Sequence, residues 1–158
     1  MTYAPPDQDL RAILGRTRTI AVVGLSSNPR RDSHGVASFL QARGFHIIPV
    51  NPNETGVLGE RAYPTLLDVA EPVDVVNVFR RPSATPEVAE RAVAIGAPVL
   101  WLQLGIENDE ARRIAEDGGL TVIMDLCIRT VVARFELEEA TRRDDEVRRS
   151  GGSDGSSP

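Results

Sequence analysis

The stretch Thr19–Ser33, TIAVVGLSSNPRRDS, decides the fold. The short apolar run Ile20–Val23 stops at Gly24, and a polar loop follows it. An amphipathic segment with helical spacing of its apolar residues begins near Asp32. Strand, phosphate-sized loop and helix in this order are typical of the first βα turn of a nucleotide-binding fold.

The loop itself departs from the dinucleotide fingerprint G-x-G-x-x-G, because Gly24, Ser26 and Pro29 stand where that motif has three glycines. A glycine lets the backbone approach a phosphate, short polar side chains supply donors, and guanidinium groups supply charge. We therefore predict that this loop contacts the phosphates of a ligand through Gly24, Ser26, Ser27, Asn28, Arg30 and Arg31.

Composition places the chain among ordinary globular proteins. Its 158 residues, 41% apolar and 26% charged, suit one domain with a single well-buried core. No apolar run approaches the roughly 20 residues of a membrane span, and the first residues lack a signal peptide pattern, so we expect a cytoplasmic protein. The single cysteine Cys127 and the two histidines His34 and His46 offer neither a disulfide nor a clustered metal site.

All 18 basic residues are arginines. A chain without lysine has no Walker lysine and no Schiff-base lysine, which excludes P-loop and pyridoxal phosphate chemistry. The net charge of −5 argues against a general nucleic-acid binder. Any anion site must therefore be a local arrangement of arginines.

Short apolar runs alternate with helical patterns along most of the chain, which predicts an α/β fold of the Rossmann-like, doubly wound type: a parallel sheet of five strands between two helical layers. We predict the strand order 3-2-1-4-5, with the ligand-binding switch point between the first and fourth strands. The predicted strands are Ile20–Val23, Phe45–Val50, Val73–Phe79, Pro98–Leu102 and Leu120–Met124, and the predicted helices are Asp7–Leu14, Gly35–Ala42, Leu66–Val69, Pro86–Ile95, Asp109–Glu116 and Arg129–Arg143.

The chain divides into one domain and a tail. Residues 1–141 carry the alternating pattern. Beyond Thr141 the sequence RRDDEVRRSGGSDGSSP is charged and rich in Gly and Ser, which predicts disorder over residues 142–158.

Three further loops follow predicted strands at the same edge of the sheet. The second strand ends in Asn51-Pro52-Asn53, where a NAD enzyme usually has an acidic residue for the ribose, so NAD-type recognition is disfavoured. The third ends in Phe79-Arg80-Arg81-Pro82, which offers two guanidinium groups to phosphate and a ring to a purine. The fourth contains Gln103 and Gly105, and its Trp101 is expected in the core rather than against a ligand.

The motifs GLSSNPRR, PVNPN followed by LGE and YP, VDVVNVFRRP, VLWLQLGI and MDLC occur in this order between Leu10 and Cys127. In this respect the chain resembles the small stand-alone CoA-binding proteins, which are similar to the N-terminal domain of the succinyl-CoA synthetase alpha subunit. The resemblance implies a site for coenzyme A or an acyl-CoA formed by Gly24, Ser26, Ser27, Asn28, Pro29, Arg30, Asn51, Pro52, Asn53, Phe79, Arg80, Arg81, Pro82, Leu102, Gln103, Leu104 and Gly105.

The synthetase phosphohistidine lies in a second domain that has no counterpart here, and the site loops contain no assembly of nucleophile, base and orienting acid. We therefore expect a binding module for a small molecule, without catalysis of its own, a metal, nucleic acid or membrane. The alternatives are a subunit of an acyl-CoA ligase with an unknown partner chain, and a NAD(P)-binding oxidoreductase or sensor. Cys127 is expected either in the core or as a thiol that forms a mixed disulfide with CoA.

Overall fold

The computed structural model describes residues 1–151, and most of its regular elements coincide with the apolar runs of the sequence. The strands are β1 (Thr19–Val23), β2 (His46–Val50), β3 (Gly56–Val57), β4 (Glu60–Arg61), β5 (Val75–Val78), β6 (Val99–Leu102) and β7 (Thr121–Ile123). The helices are α1 (Asp7–Arg16), α2 (Asp32–Ala42), α3 (Thr85–Ala94), α4 (Asp109–Asp117) and α5 (Ile128–Gly151), with 3-10 turns at Leu66–Asp68 and Pro82–Ala84.

Five strands form one parallel sheet in the order β2-β1-β5-β6-β7, and β3 and β4 form a separate small antiparallel pair. The predicted α/β, Rossmann-like fold is confirmed, but the predicted order 3-2-1-4-5 is wrong. The third long strand, β5, pairs with β1 instead of with β2, so the order of the long strands is 2-1-3-4-5. The switch point consequently lies between β1 and β5.

At its outer edge, β2 carries Pro49, which disfavours the addition of a further strand. Pro49 has no N–H, so a further strand at this edge would lack a ladder hydrogen bond. The Pro49 carbonyl instead accepts a hydrogen bond from the Tyr63 N–H at 3.0 Å, and the Tyr63 carbonyl accepts one from the Asn51 N–H at 2.9 Å. The segment after β2 therefore covers this edge of the sheet before the chain crosses to β5. At the opposite edge, Tyr3 pairs with Met124 of the segment after β7.

Each strand contributes alternate side chains to two separate cores, as the pleat of a strand requires. On one face Ile20 and Val22 of β1 pack with the apolar residues of α1, α2 and the start of α5. On the other face Ala21 and Val23 pack with those of α3 and α4. Both faces are covered by helices, which is the doubly wound arrangement predicted from the sequence.

The final helix is longer than the sequence suggests. It continues through Gly151, so residues 142–151, predicted to be disordered, are helical, while residues 152–158 lie outside the described part of the chain. Ion pairs between side chains one turn apart support this segment. Glu139 forms such pairs with Arg142 and Arg143. The charged composition that suggested disorder is therefore compatible with a solvated helix. Among residues 1–151, no helix has the length and apolarity needed to cross a membrane.

We expect the replacement of Gly24 by alanine to destabilise the fold by about 2–4 kcal/mol, and the same change at Gly44 by only about 1 kcal/mol. Both glycines have positive φ, +88° and +92°, so both variants carry left-handed strain. Only at Gly24 would the new Cβ lie 2.5 Å from the Phe79 carbonyl oxygen, whereas nothing lies within 4 Å at Gly44. Urea unfolding of the two variants measures the difference; equal destabilisation would contradict the close approach of β1 and β5.

Candidate functional site

The loops that follow β1, β5, β6 and β7 surround one open cavity at the carboxyl edge of the sheet. This cavity, which we call the arginine groove, has a volume of about 600 Å³. Its position beside the switch point is where open α/β sheets bind ligands. It is lined by Pro29, Arg30, Arg31, Asp32, Gly35, Val36, Phe79, Arg80, Arg81, Gln103, Leu104, Ile106, Cys127 and Arg129.

A second, smaller cavity of about 190 Å³ lies beside the groove, and Arg80 lines both. We call it the apolar slot, because Val23, Val50, Leu66 and Val88 form its walls. Its polar members are Thr65, Arg80, Glu87 and Arg91, of which Glu87 and Arg91 form an ion pair. A flat apolar group fits such a slot, and a charged substituent on that group would then meet Arg80.

The arginines of the groove are free of carboxylate partners. Elsewhere in the described chain, some guanidinium groups pair with acidic side chains, as Arg43 does with Glu136 and Arg134 with Asp7, while others, such as Arg113, form no ion pair. Within residues 1–151, no ion pair involves any of the five arginines of the groove, and only Arg129 has a ring contact, 4.9 Å from the centre of Phe39. The groove therefore brings together five arginines and one carboxylate, Asp32, which leaves an excess of positive charge there in a chain whose net charge is −5. The five are Arg30, Arg31, Arg80, Arg81 and Arg129.

The close packing at the switch point begins with Gly24. Its N–H donates to the Val50 carbonyl at 2.8 Å, and the Phe79 N–H donates to the Val23 carbonyl at 2.8 Å, so the ends of three strands are joined. Because Gly24 has no side chain, the Arg80 methylene stem lies only 3.3 Å from where a Cβ would stand. This contact brings the β5 loop and its arginines against the β1 loop.

The β1–α2 loop holds its own shape through short side chains. Ser33 Oγ accepts from the Ser26 N–H at 3.1 Å, and Ser26 Oγ accepts from the Asn28 N–H at 3.0 Å. Asn28 Oδ1 then accepts from the Arg30 N–H at 3.0 Å. The backbone donors at these positions are therefore engaged, and the side chains of Arg30 and Arg31 are left to face the groove.

Asn51, at the end of β2, is a structural link between loops. Its Nδ2 donates to the Leu25 carbonyl at 3.0 Å, and its Oδ1 accepts from the Asn53 N–H at 2.9 Å. Both polar groups of the amide are therefore engaged within the chain. The position that holds a ribose in NAD enzymes is occupied here by a residue that joins the β2 loop to the β1 loop.

Gln103 is 4% exposed and connects three elements behind the groove. Its Oε1 accepts from Asn77 Nδ2 at 3.1 Å and from the Ile128 N–H at 2.9 Å. The first turn of α5 is thereby fixed against β5 and β6. Among residues 1–151, the one fully buried side-chain polar atom without a partner is Asn77 Oδ1.

Cys127 lies half-buried immediately before α5, where it lines the groove. Burial of the thiol acts to raise its pKa, but donors around the sulfur outweigh that effect and hold the pKa below the ordinary cysteine value. These donors are the N–H and hydroxyl of Thr130, the Gln103 side chain and the Arg129 N–H. The environment therefore favours the thiolate more than an isolated cysteine would.

The residues predicted from the sequence fall into two groups. Those on the wall of the groove are Pro29, Arg30, Phe79, Arg80, Arg81, Gln103 and Leu104, and Pro52 lines the apolar slot. The others line neither cavity: Gly24, Ser26, Ser27, Asn28, Asn51 and Asn53 shape the first two loops, Pro82 accepts hydrogen bonds from Thr85 and Asn108, Gly105 donates to Asp125, and Leu102 is buried in the sheet.

Sequence reasoning missed the apolar slot and Arg129. The slot walls come from residues such as Leu66 and Val88, whose apolar character predicts a core position equally well. The signal for Arg129 was its place in the first turn of α5, which follows the carboxyl end of the last strand at the ligand edge of the sheet. Trp101, predicted to be in the core, is fully buried and donates from Nε1 to the Leu126 carbonyl at 2.8 Å.

The fold and the groove define a Rossmann-like domain with an arginine-rich groove at the switch point of its sheet. Residues 18–133 match the family model described as the CoA binding domain. The chain belongs to this family, which confirms the resemblance predicted from the sequence.

The chain is also similar to individual proteins. The chain is similar to the uncharacterized protein YneT of Bacillus subtilis (strain 168), with 46% identity over 129 residues that cover 82% of this chain and 96% of YneT. A structure of a hypothetical protein from Pyrococcus horikoshii OT3 matches with a TM-score of 0.81 and 38% identity, covering 82% of this chain and 92% of that one. The ADP-forming acetate–CoA ligase II of Archaeoglobus fulgidus is 32% identical over 73 residues, 45% of this chain and 11% of the ligase.

The lowered pKa of Cys127 predicts the pH dependence of its alkylation. Only the thiolate reacts, so the alkylation rate should rise with pH through a midpoint that is lower in the folded protein than in the urea-unfolded chain. The Thr130→Val variant, which removes a hydroxyl donor, should move that midpoint upward. Thr141→Val, an equivalent change farther along α5, should leave it in place. Iodoacetamide kinetics between pH 5 and 10 measure the midpoint, and identical values in folded and unfolded protein would contradict the prediction.

Proposed function

We propose that this chain binds coenzyme A or an acyl-CoA in the arginine groove and the apolar slot. The observation that carries the proposal is the convergence of five arginines without ion-pair partners on one groove beside the slot. Coenzyme A combines a 3′-phosphate, a diphosphate, an adenine ring and a long pantetheine arm. A site for it needs several cations, an apolar slot for the base and an open path for the arm, and membership of the CoA binding domain family supports the same ligand.

The two cavities suggest how the ligand is arranged. Adenine suits the apolar slot between Val50, Leu66 and Val88. Arg80, which lines both cavities, then meets phosphate at the junction, and Arg81 and Arg30 add charge within the groove. The pantetheine arm would extend along the groove toward Cys127, which puts the ligand thiol near the protein thiol.

A role beside a ligase is the second candidate, favoured by the match to the ADP-forming acetate–CoA ligase. That match spans 11% of the ligase, so a ligase reaction would require parts that this chain does not share with it. Under this alternative the chain would supply the CoA site and a partner chain the rest. A ligase subunit that copurifies with the untagged protein from its own cells would favour it. A NAD-binding role is less suited to the site, because the Asn51 amide is engaged within the chain.

We expect the purified protein to bind CoA more tightly than NAD or ATP. The arginines of the groove offer cations for both the diphosphate and the 3′-phosphate of CoA. NAD lacks the 3′-phosphate. Isothermal titration calorimetry with the three ligands under one buffer and salt concentration tests the proposal. Tighter binding of NAD or ATP would refute it.

A comparison of arginine variants separates the loss of specific contacts with the ligand from the loss of overall positive charge. Replacement of both Arg80 and Arg81 by alanine should weaken CoA binding by about 1.5–3 kcal/mol for each charge-assisted contact that is lost. Arg113→Ala removes the same charge from an exposed position on α4 and should change affinity little. If one of the groove arginines holds the 3′-phosphate, the difference between CoA and dephospho-CoA should shrink in its variant.

We further propose that the chain has no catalytic activity of its own. Ligase chemistry needs a group that carries a phosphoryl intermediate and a second nucleotide site, and a thioesterase needs an activated nucleophile. Within residues 1–151, the groups that donate to Cys127 are two backbone amides, a hydroxyl and a glutamine side chain, and neither a histidine nor a carboxylate is among them. This environment supports a binding role.

Incubation of the protein with acetate or succinate, CoA and ATP should release no phosphate and consume no free thiol. Short acyl-CoA esters should likewise release no thiol. Both quantities are followed with wild-type protein and with Gly24→Val, whose side chain would collide with the Phe79 carbonyl. Turnover that follows wild-type protein through purification and disappears in Gly24→Val would overturn the non-catalytic proposal.

A further inference from the structure

Ser27 differs from the other residues of the β1–α2 loop in the partner that it contacts. The N–H groups of Ser26, Asn28 and Arg30 are satisfied by neutral side-chain oxygens of the same loop and the start of α2. The Ser27 N–H and hydroxyl instead donate to the carboxylate of Glu54, at 3.2 and 3.0 Å to the same Oε1 atom. A backbone amide and a hydroxyl that converge on one anionic oxygen are the donors that a phosphate oxygen uses.

Glu54 reaches this position from a different loop. It follows β2, and its N–H donates to the Asn51 carbonyl at 3.2 Å, within the turn that Asn51 ties to the β1 loop. Glu54 is half-buried and forms no ion pair with any arginine in the part of the chain that the structure describes. Its partner in the free protein is therefore Ser27, which lines neither cavity itself but lies on the loop that brings Arg30 and Arg31 to the groove.

We infer that Glu54 occupies the anion position of the β1–α2 loop in the free protein, and that a ligand phosphate must displace it to bind there. A carboxylate and a phosphate cannot accept from the same two donors, and their charges repel at contact distance. Glu54 thus lowers the affinity of the site for phosphate-bearing ligands. This inference rests on the proposed function and adds a residue that sets ligand affinity.

The phosphate concerned is either the diphosphate or the 3′-phosphate of the nucleotide, and the ligands of the test distinguish them. Dephospho-CoA retains the diphosphate and lacks the 3′-phosphate. Adenosine 3′,5′-bisphosphate retains the 3′-phosphate and lacks the intact diphosphate. If the Glu54 variants gain affinity for CoA and dephospho-CoA but not for the bisphosphate, the diphosphate is the competitor of Glu54. If they gain affinity for CoA and the bisphosphate but not for dephospho-CoA, the competitor is the 3′-phosphate.

The experiment compares Glu54→Gln, Glu54→Ala and Glu60→Gln with the wild-type protein by calorimetry at one salt concentration. Glu54→Ala, which removes both the charge and the acceptor, should bind CoA about five- to twentyfold more tightly, and Glu54→Gln, whose amide oxygen can still accept from Ser27, should show a smaller gain. Glu60 lies on the neighbouring β4 strand, and within residues 1–151 its side chain forms no hydrogen bond or ion pair, so Glu60→Gln should change affinity by less than about twofold. Thermal unfolding of each variant verifies that it is folded.

The possible results separate the inference from the proposed function. If the wild-type protein binds CoA and the Glu54 variants bind it equally or more weakly, the inference alone is overturned. Weaker binding by the variants would make Glu54 an acceptor for a ligand hydroxyl or amide. CoA binding by the Glu54 variants and not by wild type supports the inference in its strongest form. No CoA binding by wild type or any variant overturns both.

Discussion

The contact between Gly24 and the Phe79 carbonyl is the constraint on which the site depends. A side chain at position 24 would lie 2.5 Å from that oxygen, so β1 and β5 can lie side by side at their carboxyl ends only because the residue is glycine. This pairing places the third long strand, β5, on the side of β1 opposite to β2, and that arrangement creates the switch point. It also brings the loop with Arg80 and Arg81 against the loop with Arg30 and Arg31, so the groove is a direct result of the strand order.

A second constraint is the connection between β2 and β5. In place of a long crossover helix packed on the sheet, residues 51–74 form a small antiparallel pair, a 3-10 turn and the edge contact through Tyr63. The same segment contributes Pro52, Pro64, Thr65 and Leu66 to the apolar slot and places Glu54 on Ser27. The irregular part of the chain therefore contributes as much to the candidate site as the regular helices do.

The sequence predicted the elements better than it predicted their arrangement. Each long strand was visible as a short apolar run with turn residues at its ends, because burial on both faces requires continuous apolar residues. The order of the strands depends on features that no periodicity records, such as the missing N–H of Pro49 and the missing Cβ of Gly24. The arginines were recognised because charge beside a buried strand is unusual. The slot was not recognised because Val23, Val50 and Val88 look the same in sequence whether they line a cavity or fill a core.

The unpaired arginines place ligand recognition and folding stability in opposition. Like charges that share a groove repel one another, and folding alone brings these five together. Under the proposed function, a bound polyanion would remove this electrostatic cost of folding. Under the proposed function, mutations that neutralise one of these positions should be enriched by a screen for thermal tolerance and depleted by a screen for ligand retention.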